Sequence, residues 1–305
     1  MFLRRNVFSI AAVILALAAG LVLGSHWLDG PAPWSGWGER NRAEALAARV
    51  DRLTAEANAA DAFIAGSSGR VLGGTLSGRG VLLFTTPDAD RGDVDAVAKA
   101  LTTAGASIGG TVGLTGAFVD SGQGDRLRTA ATNLIPAGGQ LRGDTIDQGG
   151  LAGDLLGLAF LVDPGSGQQR STPEERALIL DTLRAGGFVT AGDVQPAQLA
   201  VVVTGDGAGD GDQGSIVARF ADALRGRGAG VVLAGRAGSA TGAGAIAAVR
   251  ADGPAAHAVT TVDNVDREIG RVTTALGLSE QLNGGSGRYG TGPDASSLSV
   301  IALPR

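Results

Sequence analysis

Few residues of this chain are placed to do chemistry, and each group that is also has a plainer reading. Residues 285–290, Gly-Ser-Gly-Arg-Tyr-Gly, have the G-x-G-x-x-G spacing that opens a dinucleotide site. Such a loop works when it follows a strand and begins a helix whose N-terminus holds the pyrophosphate. Here the apolar patterns place a helix before the loop and a strand after it, so the match is what chance gives among 51 glycines. Residues 205–214 carry Asp206, Asp210 and Asp212 between a strand and a helix. Three carboxylates repel a phosphate, and although calcium takes such ligands, their spacing fits no EF-hand loop; a solvated turn is the favoured reading. Asp88 and Asp90 could serve as acid and base, yet between a strand and a helix they read first as turn and capping residues. There is no cysteine, and the two histidines, His26 and His257, lie far apart in sequence. No Gly-x-Ser-x-Gly falls at a strand-to-helix turn. No catalytic residue and no metal site is assigned, and the chain reads as a non-enzyme.

The elements that surround these residues say more. Residues 6–28 contain no Asp, Glu, Lys or Arg, and their core, residues 7–23, is almost wholly apolar. About 20 such residues as a helix cross a bilayer. Arg4 and Arg5 precede the run and Asp29 follows it, which places the N-terminus in the cytoplasm and the rest of the chain outside the cell membrane, as a single-pass protein. A cleaved secretory signal is the rival, with Ala16-Leu17-Ala18 as a small-x-small site; an uncleaved anchor is preferred because the run is long. Gly20 and Gly24 form a small-xxx-small pair that lets two such helices approach closely.

Between residues 39 and 65, apolar side chains recur at Ala43, Leu46, Val50, Leu53, Ala57, Ala60 and Ile64. Steps of three and four make a heptad seam, which predicts a coiled-coil stalk and a parallel homodimer held by Gly20, Gly24, Leu46, Val50, Leu53 and Ile64. The competing reading is one amphipathic helix packed on its own domain.

The remaining chain, residues 67–305, alternates short apolar runs with helical patterns. Strands are expected at residues 80–85, 106–114, 199–204, 230–234, 259–262 and 298–303. Helices are expected at 93–104, 125–134, 147–160, 173–184, 214–225, 242–250 and 267–282. Continuous apolar strands alternating with helices predict an α/β fold with a largely parallel sheet covered by helices. The predicted organisation is an anchor at 1–28, a linker and stalk at 29–66, and an extracytoplasmic domain at 67–305, with room for two subdomains dividing near 165–195. Hydrophobic residues make up 44% of the chain and aromatics only 4%, so its core is aliphatic. A net charge of −5 without basic runs beyond the anchor argues against nucleic acid.

A series of short matches, in order along nearly the whole chain, resembles the actinobacterial copper-transport protein family typified by the mycobacterial MctB proteins. It includes residues 16–25 and 50–54, Thr86-Pro87-Asp88-Ala89, Asp147-Gln148-Gly149, Gly153-Asp154-Leu155-Leu156-Gly157 and residues 201–205. It continues through residues 217–220, 233–236 and 261–266 to Asn283-Gly284-Gly285 and Tyr289-Gly290-Thr291-Gly292. The resemblance implies an exported, membrane-associated protein of copper transport or homeostasis, with outer-membrane association described for some members and envelope complexes of cell separation for others. Copper enters only through that resemblance. Copper(I) favours thiolates, thioethers and imidazoles, and the chain offers no cysteine, Met1 alone and two distant histidines. The alternative expectation is therefore a dimeric envelope scaffold that binds a protein partner, such as a cell-wall hydrolase. Its candidate partner surface is the loop at 283–292, through Arg288 and Tyr289.

Overall fold

The computed structural model describes residues 35–143, 146–207 and 211–300, with side chains from residue 42 onward. The expected anchor, with Gly20 and Gly24, lies outside these residues. Among the described residues no helix is long and apolar enough to cross a membrane. The chain divides into two compact units, Met1–Asn58 and Ala59–Arg305. The described part of the first is the beginning of helix α1 (Ser35–Leu72), on which Leu46, Val50 and Leu53 are each more than half exposed.

The second unit holds the end of α1 and an α/β fold. In chain order its elements are β1 (Gly80–Thr85), α2 (Arg91–Thr103), β2 (Ser107–Leu114), α3 (Gly116–Val119), α4 (Gly124–Asn133), α5 (Gln148–Phe160) and α6 (Pro173–Ala185). There follow β3 (Val189–Ala191), β4 (Leu199–Val203), α7 (Gln213–Arg225), β5 (Gly230–Ala234), α8 (Ala245–Ala251), α9 (Gly253–Ala258), β6 (Thr260–Val262), α10 (Glu268–Leu282) and β7 (Arg288–Tyr289). The strands form one seven-stranded sheet in the order β3-β2-β1-β4-β5-β6-β7. Every pairing is parallel except β2 with β3. The central strands β4 and β5 are buried along their whole length, as their unbroken Val, Leu and Ala runs require of a sheet covered on both faces.

Alternate residues of each strand feed two cores. Leu82, Phe84, Val112, Val202 and Leu233 pack under the larger helical layer, α3 to α9, where Phe220 of α7 meets Phe84 and Phe118 edge to face with centroids 5.2 and 5.4 Å apart. Leu83, Val201, Val203 and Val232 pack on the opposite face with α2, α10 and Leu72 at the end of α1. In that second core Ile64 is half-buried, and Asp61 forms an ion pair with Arg267 at 2.9 Å. The last turns of α1 therefore do what the competing reading proposed, lying on their own domain.

Helix α5 is the most enclosed of the described helices, with Leu151 alone partly exposed. Gly149, Gly153 and Gly157 fall on one face, where an added Cβ would overlap the Ile216 carbonyl, lie 2.5 Å from the Phe220 carbonyl, or lie 2.8 Å from Arg227 Cβ. The two backbones of α5 and α7 meet here without intervening side chains. Asp154, on the same helix and fully buried, accepts two 2.6 Å bonds from Arg227 and one of 2.7 Å from the Arg142 amide.

The structure departs from the sequence reading in several short elements, among them helix α3. The edge strand β3 was not anticipated: three residues after a Gly-Gly pair give too short an apolar signal. Among the described residues the last strand is Arg288–Tyr289; of the strand expected at 298–303, residues 298–300 form none, Ser297 only bridges to Tyr289, and the rest lies outside the described residues. The short helix α9, on which His257 sits exposed, was not anticipated either.

Candidate functional site

Strand order reverses direction between β1 and β4, and ligands of doubly wound sheets bind at such a switch point, outside the carboxyl ends of the strands. The residues there are Thr86, Asp88 and Ala89 after β1, and Thr204, Asp206 and Gly207 after β4. Asp88 closes the crevice. Its carboxylate accepts hydrogen bonds from the Thr86 hydroxyl, from the Thr204 hydroxyl at 3.4 Å and from the Gly207 amide at 3.3 Å. The cavity left beneath has a volume of about 20 Å³. That is room for a water molecule, far below the several hundred Å³ of a small-molecule site. Asp90 caps α2 by accepting from the Gly92 and Asp93 amides at 2.8 and 3.2 Å. Both carboxylates thus take turn and capping roles in the structure.

Further along the same edge, charged groups tie elements together. Asp93, buried at the start of α2, accepts from Arg236 after β5 at 2.7 Å and from Arg271 of α10 at 3.2 Å. The bond to Asp93 raises the Arg236 guanidinium above its already high ordinary value. Asp263, after β6, is fully buried, as is Arg250 of α8, and their side chains meet at 2.7 Å. Arg250 also donates to Thr261 Oγ1, to the Tyr289 carbonyl and to the Pro293 carbonyl. Asp263 takes the amides of Thr291 and Gly292. Gly290 sits at φ 127° with its Cα hydrogen against the Asp263 carboxylate, leaving no room for a side chain. This buried pair holds the segment after β7 against the sheet.

The dinucleotide-like spacing at 285–290 belongs to that segment. It leaves α10 and enters β7, so no helix N-terminus faces it. Within the expected partner surface, Arg288 is half-buried and Tyr289 is buried. The Tyr289 hydroxyl bonds both carboxylate oxygens of Glu280, at 2.8 and 2.9 Å. Its ring contributes to the core, so the side chain that was expected to meet a partner faces inward. Of the expected dimer residues, Leu46, Val50 and Leu53 project to solvent, while Ile64 turns to its own domain. Residue type signalled Asp263 and Arg250 weakly, because a buried ion pair 13 positions apart has no periodic signature.

Burial and the Glu280 carboxylate push the Tyr289 phenol above its ordinary value. Tyr289 is the only tyrosine, so phenolate absorbance reports it alone. Its titration is expected to lie above the usual ~10 in the folded protein and to return there in denaturant. Because the folded group holds its proton more tightly, this contribution to stability is present below pH ~10 and is lost as pH rises beyond it. A folded-state titration at the ordinary value would contradict the buried hydrogen-bonded ring.

Among the described residues no group of three or more His, Cys, Asp and Glu side chains is gathered to hold a metal ion. Fold and site together define a doubly wound α/β protein whose switch-point crevice is closed by its own Asp88. The chain belongs to the family described as copper transport outer membrane protein, MctB, whose model matches residues 1–300. It is 40% identical over 312 residues to the copper transporter MctB of Mycobacterium tuberculosis (strain ATCC 25618 / H37Rv), covering 98% of each chain. It is 41% identical to the protein of the same name from Mycobacterium leprae (strain TN), with the same coverage. Those relatives are named as transporters, not as enzymes.

Proposed function

We propose that this protein serves copper homeostasis from the cell envelope as a non-enzymatic, membrane-tethered dimer, without a copper site of its own. The observation that carries the copper role is the family match, which runs through residues 1–300 and so includes the apolar N-terminal segment as well as the domain. On this reading residues 6–28 stay as a single-pass anchor, the N-terminus is cytoplasmic, and the domain works outside. The stalk pairs two copies in parallel. Copper is cargo or stimulus here, not a resident ion. The soft donors of one chain are Met1, His26 and His257, and His257 lies exposed on α9. Two or three such donors within ~2 Å of one ion are needed for tight binding, and these residues are too few and too far apart in sequence to provide them.

The test is complementation of a mycobacterial strain lacking its own relative of this protein. Expression of this chain is expected to restore growth in copper, and the double variant His26→Ala, His257→Ala is expected to restore it equally well. No restoration by the unaltered chain would remove the copper role. Loss of restoration in the double variant at equal protein level would replace indirect action with direct coordination.

A further inference from the structure

The sheet is bare at one corner of the face that α2 and α10 cover. The core on that side takes no residue from β3 and only the half-buried Ile108 from β2. Register sets Thr85, Gly113 and Thr190 abreast on β1, β2 and β3, and Thr111 lies two positions before Gly113, so all four positions are on this face. Beside them runs α2, which brings Arg91, Val94 and Asp95 to the rim. The result is an open groove of about 560 Å³, within the ~300–1,000 Å³ of small-molecule sites. Its polar groups are idle. Among the described residues the side chains of Arg91, Asp95, Thr85 and Thr111 have no hydrogen bond or ion pair, although Arg91 and Asp95 are one turn apart on α2. The neighbouring carboxylates are engaged elsewhere: Asp90 caps α2 and meets Arg236 at 3.3 Å, and Asp93 accepts from Arg236 and Arg271.

We propose that this groove binds a short peptide of small residues by its two charged ends, the α-carboxylate at Arg91 and the α-ammonium at Asp95. Charge comes first in choosing that ligand. The two idle groups are opposite in sign, so an ion of either sign meets one of them unfavourably, whereas a zwitterion satisfies both. Length comes second. The Cα atoms of Arg91 and Asp95 are about 6 Å apart along the helix axis, and an extended dipeptide spans about 7 Å. The lining comes third. The hydroxyls of Thr85, Thr111 and Thr190 can donate to and accept from a peptide group, while Val94 and Ala191 offer contacts for methyl-sized side chains. None of the lining residues is aromatic, so the groove has no ring face for a nucleobase to stack on. The peptide site depends on neither the copper role nor the dimer.

The test is calorimetric titration of the purified full-length protein with dialanine, N-acetyl-dialanine and dialanine amide. Dialanine is expected to bind. Each capped form lacks one charge and is expected to bind about three- to tenfold more weakly, between the value of an exposed ion pair and that of a charged hydrogen bond. Arg91→Gln is expected to weaken dialanine by a similar factor but not the amide, and Asp95→Asn to weaken dialanine but not the N-acetyl form. Both positions are exposed, and a general loss of structure would weaken every form alike. Absence of binding at millimolar dialanine overturns the proposal. Binding that the caps and the two variants leave unchanged also overturns it, since the peptide would then sit elsewhere. Free alanine binding as tightly as dialanine overturns the argument from length and with it the choice of a peptide.

Discussion

Replacing Asp263 by alanine is expected to lower the unfolding free energy of the domain by roughly 3–5 kcal/mol, the range for breaking a buried ion pair by removing one partner. Asp263 is wholly buried and Arg250 is 1% exposed on its side chain, so water cannot replace the lost carboxylate. Arg250 would keep Thr261 and the carbonyls of Tyr289 and Pro293, all neutral acceptors, for a full positive charge. The amides of Thr291 and Gly292 would lose their acceptor as well. Against a typical domain stability of about 5–15 kcal/mol, this removes roughly a fifth or more. Urea unfolding checks it. The double variant Arg250→Met, Asp263→Leu is expected to recover part of the loss, since removing both charges is far less costly than removing one. A single variant within ~1 kcal/mol of the unaltered protein would mean that the clamp contributes little.

The second large effect concerns α5. A mid-helix glycine replaced by a residue with a side chain ordinarily gains about 0.5–1 kcal/mol in helix propensity. At Gly153 the sign reverses. The new Cβ would meet the Phe220 carbonyl at 2.5 Å and Ala223 Cβ at 3.0 Å, groups fixed within α7 that cannot swing aside. Gly153→Leu is therefore expected to cost about 3 kcal/mol or more, the upper range for overpacking. Gly66→Ala is the companion: nothing lies within 4 Å of that Cβ on α1, so it is expected to stabilise the helix by about 0.5–1 kcal/mol. Thermal or urea unfolding of the two variants should move in opposite directions. Equal shifts would show that close approach of α5 and α7 is not what the glycine serves.

These two cases also show where the sequence was legible. Strands β1, β4 and β5 announce themselves as unbroken apolar runs, because a strand covered on both faces needs no polar residue. The helix α6 begins where Thr172-Pro173-Glu174-Glu175 foretells it, and the capping box is present. The glycines were another matter. With 51 in the chain, Gly149, Gly153 and Gly157 could not be told from background composition, since only the facing backbone of α7 gives them a purpose. Asp263 and Arg250 were hidden for a like reason, being distant partners whose pairing depends on the order of strands. Tyr289 looked like a surface anchor because aromatic residues in glycine-rich loops often are; Glu280, one helix away, turns it inward. Ile64, which the heptad spacing placed on the seam, packs partly against the second core, while the adjacent Phe63 is exposed.

The central claim, a copper-linked protein that does not itself coordinate copper, is met most directly by titrating copper(I) into the purified full-length protein against a chromophoric chelator, with its oligomeric state followed in the same samples. The expected result is a dimer that leaves the chelator fully loaded. Tight binding at a whole-number ratio, one ion per chain or one per dimer, would contradict the account and place a site where donors of two chains meet.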